Sequence, residues 1–483
     1  MESERREFPK TPTGIAGLDE ITFGGVPQGR PTLICGSAGC GKSLFGIQFL
    51  ERGITLYDEP GVLISFEESK KDISQNVQSL GINTEELIAA NKLRVDYVRV
   101  DRSEIEETGE YDLEGLFIRI GHAIESIGAK RIVLDTIESL FGGIENAAIL
   151  RSELRRLFQW LKDKGITAII TGERGEKTLT RQGLEEYVSD CVIVLDFRVV
   201  DQIATRRLRI VKYRGSTHGT NEYPFLIDEQ GISVLPITSL GLEHRVSTEI
   251  ISTGIPAVDK LFKKGGLLKG SSTLLTGTAG TAKTIMAAFF AASSCKRGEP
   301  TLFFSFEESA DQLVRNIKSV GLELTPFVRS GKLVIHSSRP SLQGLEMHLL
   351  LIHKLIDQHN PTTVVIDPIS SLLNVGNMND VSDMLVRLID TLKLKGINAY
   401  FTSLTHARDG VDKDMTVDAV SSLADVWIRL EHEMHNKYRL RGLRIIKVRG
   451  MGHETELQNF KIFDHGIQLV GPKKNIVKTK RSR

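Results

Sequence analysis

The segment LTGTAGTAKTIM, residues 275–286, reads as a phosphate-binding loop with one flaw, and a near copy without the flaw, ICGSAGCGKSLF, stands at residues 34–45. In each, an apolar run stops at a glycine, small residues follow, and a Lys-Ser or Lys-Thr pair opens a helical pattern. Gly36, Gly39 and Gly41 let consecutive backbone N–H groups turn inward around phosphate oxygens. Lys42 is then set against the β- and γ-phosphates, and Ser43 is set to ligate magnesium. Gly277, Gly280, Lys283 and Thr284 repeat the arrangement. Ala282 occupies the place of the second glycine in G-x-x-x-x-G-K-[ST]. If that position needs a φ that only glycine reaches cheaply, the methyl displaces the loop or narrows it; if it is helical, alanine is tolerated. Because the surrounding polar residues are retained, the expectation is an active but altered second site.

The two loops belong to a larger repeat. TGIAGLD at 13–19 returns as TGIPAVD at 253–259, and ISFEES at 64–69 as FSFEES at 304–309. RIVLDTIESL at 131–140 is echoed by TVVIDPISSL at 363–372, and LRIVKYRGSTH at 208–218 by LRIIKVRGMGH at 443–453. The order is kept at an offset of about 240 residues, too long for a solenoid unit, so each copy should own a core. The boundary falls in the polar segment 236–249. This gives a first domain over 1–245, a second over 246–470 and a short basic tail, GPKKNIVKTKRSR, at 471–483.

Composition agrees with a multidomain globular protein. The chain has 483 residues, 40% hydrophobic and 25% charged, with a formal net charge of +1. That balance gives no electrostatic reason to expect nucleic acid or a membrane as a partner. Cys35, Cys40, Cys191 and Cys295 form neither a Cys-x-x-Cys pair nor a disulfide-like framework. No apolar run is long enough to span a bilayer, and MESERREFPK lacks the apolar core of a secretion signal, so a cytoplasmic protein is predicted.

Within the first copy PTLIC, GVLISF, RIVLD, ITAIIT and CVIVL read as buried strands, and SELRRLFQWLKDKG as an amphipathic helix ended by glycine. Strands alternating with helices predict an α/β fold, a mostly parallel sheet covered on both faces. The LRIxKxRG segments alternate more strongly and are expected as antiparallel additions. Behind each phosphate loop a later strand ends in a carboxylate, Asp135 or Asp367, placed to hold a metal ion and its waters. The FEES segments add Glu67 and Glu68, and Glu307 and Glu308. Adjacent residues at a strand end face opposite ways, so one glutamate of each pair can enter the nucleotide pocket while the other meets structure.

These elements, in this order, resemble the RecA-like ATPases, and the tandem form with FEES in each half resembles the KaiC family of clock-type ATPases and autokinases. The resemblance runs from TGIAGLDEITFGGVPQG at 13–29 to IKVRGMGH at 446–453. It implies two tandem RecA-like P-loop NTPase domains that use ATP and Mg2+, and a homohexamer of two stacked rings with nucleotide between neighbouring subunits. It further implies that Lys212, Arg214 and His218, and Lys447, Arg449 and His453, reach the nucleotide of the adjacent protomer. Arg209 and Arg444 read as solvated strand-face residues. In VDAVSSLADVWI, 417–428, Ser421 and Ser422 stand where the family carries autophosphorylated hydroxyls, with Thr416 just before. Asp190 and Asp425 align, which puts Glu186 and Tyr187 at the corresponding first-half positions, so only the second half has adjacent acceptors. The Ser-Ser pair departs from the family's Ser-Thr pair.

The family's longer members extend past residue 483 in the region that engages KaiA; the short, different tail here argues against KaiA dependence, while the first ring leaves room for a KaiB-like partner. LEHEMHNKY at 430–438, with His432 and His435 among acids, lacks a convincing metal-ligand set and is expected as a hairpin loop. Two other readings remain. A RecA/RadA-type DNA-dependent motor shares the core, but KYRG and KVRG stand in place of its Lys-Asn-Arg-Phe-Gly segment and no cysteine zinc module is present. A nucleotide-gated scaffold would bind ATP in the second half without turning it over.

Overall fold

The structure, a computed structural model, describes residues 8–98, 114–141, 147–175, 189–200, 203–236, 247–405, 421–435 and 438–470. The chain divides into two compact units, residues 1–238 and 239–483, each built on a nine-stranded sheet. From edge to edge, the first sheet runs Gly231–Val234, Tyr223–Asp228, Ile203–Tyr213, Cys191–Val200, Pro31–Gly36, Thr167–Glu173, Arg131–Asp135, Gly61–Ser65 and Leu93–Tyr97. The strands from Cys191–Val200 to Leu93–Tyr97 are parallel. The other three are antiparallel additions, as the alternation in LRIVKYRG predicts. The second sheet has the same order, with Ser272–Gly277 in the place of Pro31–Gly36.

The central strand is buried throughout because helices cover both faces of the sheet. Ile34 points into a core with Phe45, Phe49 and Leu50 of the helix Lys42–Tyr57, while its neighbours Leu33 and Cys35 point into another. That second core takes Leu154, Leu157, Phe158 and Leu161 of the helix Ala147–Asp163, whose spacing makes one apolar helical face. All four cysteines are buried and free. Among the described residues no helix is long and apolar enough to cross a membrane.

One sequence expectation is corrected here. Residues 430–435 are not a loop: the strand Val426–His435 continues through them and pairs with Tyr438–Val448, setting His432 opposite Arg441. This ribbon runs past the end of the parallel sheet, where Glu431 and His432 are half-buried and Glu433 is exposed, so alternating charges cost little there. Thr416, Glu186, Tyr187 and the basic tail lie outside the described residues.

In the first unit a buried cation ties the phosphate-loop helix to the strand that ends in Asp135. Arg131 opens that strand with no exposed surface, donates from Nε to Glu59 at 2.7 Å and from Nη1 to the Phe49 carbonyl at 3.1 Å. Its guanidinium lies 4.5 Å from the Phe49 ring centroid. Gly53 leaves the necessary room, since a Cβ there would sit 2.4 Å from the Arg131 Nε. In the second unit Ser294 and Thr363 are bonded at 2.7 Å at the equivalent corner, and the cation comes from the end of the helix itself: Arg297 donates to the Ser294 hydroxyl at 2.9 Å and to Glu299 at 2.7 Å. Replacing Glu59 by alanine leaves the guanidinium without its counter-charge and should cost about 2 kcal/mol, the scale of a hydrogen bond to a charged group. In denaturant the expected result is an earlier unfolding transition for the first unit and an unchanged one for the second.

Candidate functional site

Each phosphate loop is shaped by a lysine folded back over the strand end from which the loop departs. The Lys42 Nζ donates to the carbonyls of Gly36 at 2.9 Å and Ser37 at 3.1 Å. The Lys283 Nζ donates to those of Gly277 at 2.8 Å and Thr278 at 3.0 Å. Both lysines are buried; burial lowers the Lys283 pKa, and the nearby carboxylates Asp367 and Glu307 work against that fall.

The residue before each helix is left-handed, Gly41 at φ 106° and Ala282 at φ 83°. The alanine therefore does not displace the loop: it takes the unfavourable conformation, at a cost of about 1–2 kcal/mol. Its side chain packs against the core of the second unit. At the first loop a Cβ on Gly41 would lie 2.9 Å from the Ile227 Cδ1.

Behind the loops the carboxylates stand at matching places. Asp135 accepts hydrogen bonds from the hydroxyls of Thr171 and Ser43, and Asp367 from those of Thr402 and Thr284. Burial pushes both aspartate pKa values up, and these hydroxyl bonds oppose it. The glutamate pairs diverge as strand geometry requires. Glu67 turns inward, held by Thr136 at 2.6 Å and Ser139 at 2.7 Å, while Glu68 accepts from Asn76 at 3.1 Å. Glu307 accepts from Ser371 at 3.1 Å, and Glu308 from Asn316 at 3.2 Å. Pro368 follows Asp367 where Thr136 follows Asp135, so Glu307 lacks one hydroxyl anchor that Glu67 has.

Sequence reasoning missed a further contact in the second unit. Arg441 donates from Nε to the Gly280 carbonyl at 3.0 Å, and the His432 Nε2 lies 3.4 Å from the Ala279 carbonyl, so the ribbon touches its own phosphate loop. In the first unit the corresponding Arg206 instead lies over the Phe197 ring at 4.7 Å, with Nε unpartnered. The signal available was the arginine six residues before each Lys-x-Arg-Gly, but only the register shows which edge of the sheet it reaches. Among the described residues no cluster of three or more His, Cys, Asp or Glu is arranged to hold a metal.

The remaining residues lie at the opposite edge. Register pairs Lys212 with Val192 and Lys447 with Trp427, near the amino ends of the parallel strands, whereas both phosphate loops leave from carboxyl ends. There Asp190 meets Lys162 at 2.6 Å and Arg214 at 3.7 Å, and Asp425 meets Lys393 at 3.0 Å and Arg449 at 3.6 Å. Lys447 donates to the carbonyls of Ser421 at 2.8 Å and Ser422 at 3.2 Å, and Arg449 donates to that of Ser422 at 2.5 Å. Burial and the Arg449 charge lower the Lys447 pKa. The His218 Nδ1 lies 2.9 Å from the Gly219 carbonyl, and His453 bridges to Phe262. Each unit thus brings its loop, aspartate and glutamates together at one edge and holds its Lys-x-Arg, with the paired serines in the second unit, at the other.

The donor set beside each loop fits a hard divalent cation completed by phosphate oxygens and water: one hydroxyl, Ser43 or Thr284, bonded to one buried carboxylate, Asp135 or Asp367. In the nucleotide-free protein that carboxylate is a liability. Its raised pKa means the folded state binds the proton more tightly than the unfolded chain does. Stability is therefore gained as pH falls through the raised value and lost as the group ionises above it. At pH 8 Asp367→Asn should melt higher than the parent without ligand, by about 2–4 °C for each 1 kcal/mol recovered, and should lose the further rise that ATP with Mg2+ gives the parent. In the same assay Ala282→Gly should stabilise the second unit by about 1 kcal/mol, the strain relieved less the entropy of glycine, and Gly41→Ala should destabilise the first by about 1–3 kcal/mol.

The comparisons with known proteins agree with this arrangement. The family model described as the KaiC ATPase matches twice, over residues 11–239 and 251–474. The circadian clock protein KaiC2 of Synechocystis sp. is 57% identical over 468 residues, 97% of this chain and 82% of that protein. The circadian clock oscillator proteins KaiC of Prochlorococcus marinus and Thermostichus vulcanus are 34% and 35% identical, each over 97% of this chain and over 94% and 90% of their own lengths. With two tandem RecA-like units and a family match in each, the chain belongs to the KaiC family of ATPases.

Proposed function

We propose that the chain is a KaiC-like ATPase and serine autokinase of a circadian-clock-type or related timing or stress-signalling system, working with Mg2+ in a homohexameric assembly in which each nucleotide is completed by a neighbouring subunit. The observation that carries this reading is the separation of functional groups across each sheet. Ser272, bonded to Asp425, and Gly277 are the two ends of one strand, roughly 17 Å apart at about 3.3 Å per residue. Lys447, Arg449, Ser421 and Ser422 are therefore out of reach of their own phosphate loop. Residues held there by specific bonds suit a nucleotide bound to another copy.

At such a junction the loop amides and Lys42 or Lys283 bind the phosphates. Glu67 in the first unit orients a water, and Glu307 in the second orients either a water or the incoming serine hydroxyl, accepting its proton at Oε. Ser43 with Asp135, and Thr284 with Asp367, would hold Mg2+, which when bound neutralises developing charge on the transferring phosphoryl group. The Lys-x-Arg pairs, with His218 and His453, supply charge from the facing subunit. Glu307, with one fewer hydroxyl anchor than Glu67, has more freedom to meet an acceptor from outside, which favours phosphoryl transfer in the second unit and hydrolysis in the first. A KaiB-like partner remains compatible with the first unit.

Incubation with γ-labelled ATP and Mg2+ tests this with two variants that are each silent alone. Lys283→Ala keeps the serines but disables the loop; Ser421→Ala/Ser422→Ala keeps the loop but has no acceptor. Mixed and allowed to reassemble, they should restore label, on the Lys283→Ala chain only. Label on Lys283→Ala alone would overturn the role of the loop. Steady hydrolysis without label, in the parent as in the mixture, would make the second unit a nucleotide-gated scaffold.

A further inference from the structure

The second glutamate of each pair is tied to a helix outside the pocket. Glu68 and Glu308 diverge from Glu67 and Glu307, and each is bonded at its carboxylate by an asparagine eight residues later, Asn76 at 3.1 Å and Asn316 at 3.2 Å. Both asparagines are exposed and lie inside a helix, Lys70–Gln78 or Ala310–Lys318. Asparagine is a poor helix former, and packing does not ask for it on an exposed face. The helices are secured without it: Ile73 and Val77, or Leu313 and Ile317, seat them on the core, and Ser69 or Ser309 caps the first turn at 3.3 Å. In the second unit Arg315 donates to the Asn316 Oδ1 at 3.3 Å, which leaves the amide nitrogen for Glu308. The other oxygen of Glu308, Oε2, is buried with no hydrogen bond.

The asparagine bond completes a brace around the residue that meets the substrate. On one side of Glu67, Phe66 is buried and its N–H donates to the Asp135 carbonyl at 2.8 Å; Phe306 donates in the same way to Asp367 at 2.9 Å. On the other side, the Glu68 N–H donates to the Ser65 Oγ at 3.0 Å and the Glu308 N–H to the Ser305 Oγ at 3.3 Å. Adjacent side chains of extended backbone face opposite ways. A Glu68 carboxylate held against the outer helix therefore keeps Glu67 turned into the pocket. We propose that Asn76 and Asn316 are positioning residues for the reaction: each clips the second glutamate of its pair and thereby fixes the direction from which the first meets its water or hydroxyl. The proposal rests on the reading of Glu67 and Glu307 as the groups that orient that water or hydroxyl. A displacement of about 1 Å at a reacting group can cost on the order of a hundredfold in rate, so a bond of little weight in stability can carry weight in turnover.

The test follows steady ATP hydrolysis by the full chain with Mg2+, altering both units together so that neither masks the other. Asn76→Ala/Asn316→Ala should lower kcat about fivefold, the scale of one lost hydrogen bond, with KM for ATP and the melting profile close to the parent's. Asn76→Asp/Asn316→Asp, which has the same shape but repels the glutamate, should lower kcat at least as far, and it decides the matter if the alanine variant fails to fold. Adding the asparagine-to-alanine pair to Glu68→Ala/Glu308→Ala should reduce kcat no further, because the asparagines act only through those carboxylates. An unchanged kcat, a rise in KM in place of the fall in kcat, or a further fivefold loss on the glutamate variant would overturn the proposal. Glu67→Gln/Glu307→Gln separates the two readings. Hydrolysis that persists in that variant removes the orienting groups and the proposal with them, whereas its loss beside an unaltered Asn76→Ala/Asn316→Ala removes the clip alone.

Discussion

Each unit depends on the bend at which its central strand stops, passes through one left-handed residue and starts a helix. The strand is buried on both faces and cannot continue into solvent as a strand, and the helix must return to cover it. The ammonium of Lys42 or Lys283 takes up the carbonyls left at the strand end. Once that bend is fixed, the parallel neighbours deliver Asp135 or Asp367, and Glu67 or Glu307, to the same edge, because every parallel strand ends there. Antiparallel strands obey the opposite rule and carry their last residues, the Lys-x-Arg segments, to the far edge. The chemistry of the chain is divided between two edges by strand direction alone.

The duplication shows which parts of this plan bear change. Strand order, the lysine fold-back and the hydroxyl-to-aspartate bond are the same in both units. The corner that locks the phosphate-loop helix differs: in one unit the buried Arg131 of the strand pairs with Glu59, and in the other a Ser294–Thr363 hydroxyl pair is bonded by Arg297 at the end of the helix. So does the ribbon, which stacks arginine on phenylalanine in the first unit and bonds to the loop in the second. The strain at Ala282 and the extra restraint from Arg441 occur in the same loop, and the second counteracts the first: a loop held by its carbonyls is less free to relax away from an unfavourable φ.

Much of this was legible in the sequence for physical reasons. A strand buried on both faces must be a continuous apolar run, so PTLIC, RIVLD and CVIVL announced themselves, and repetition made short motifs such as FEES informative where one occurrence would not be. The divergence of Glu67 from Glu68 followed from the two-residue period of a strand. What stayed hidden depended on register and on contacts distant in sequence. Nothing local distinguishes Arg441, which reaches the phosphate loop, from Arg444, which pairs with Glu431. The length of the ribbon through His435 was concealed because polar alternation reads as a loop when its partner strand is not known. The conformation of Ala282 was undecidable because alanine is compatible with both alternatives until the loop is seen.

The division of each catalytic set between opposite edges has a consequence at the level of populations. In the proposed ring, a chain that lends its cations to one neighbour while borrowing them from another takes part in two junctions. One defective copy would then silence a site it owns and a site it merely serves, and with a fraction f of intact chains in a mixed pool, intact junctions would scale as f squared. A protein assembled in this way would be unusually open to dominant interference by damaged or half-synthesised copies of itself, and correspondingly sensitive to any regulator that needs to cap only a minority of subunits.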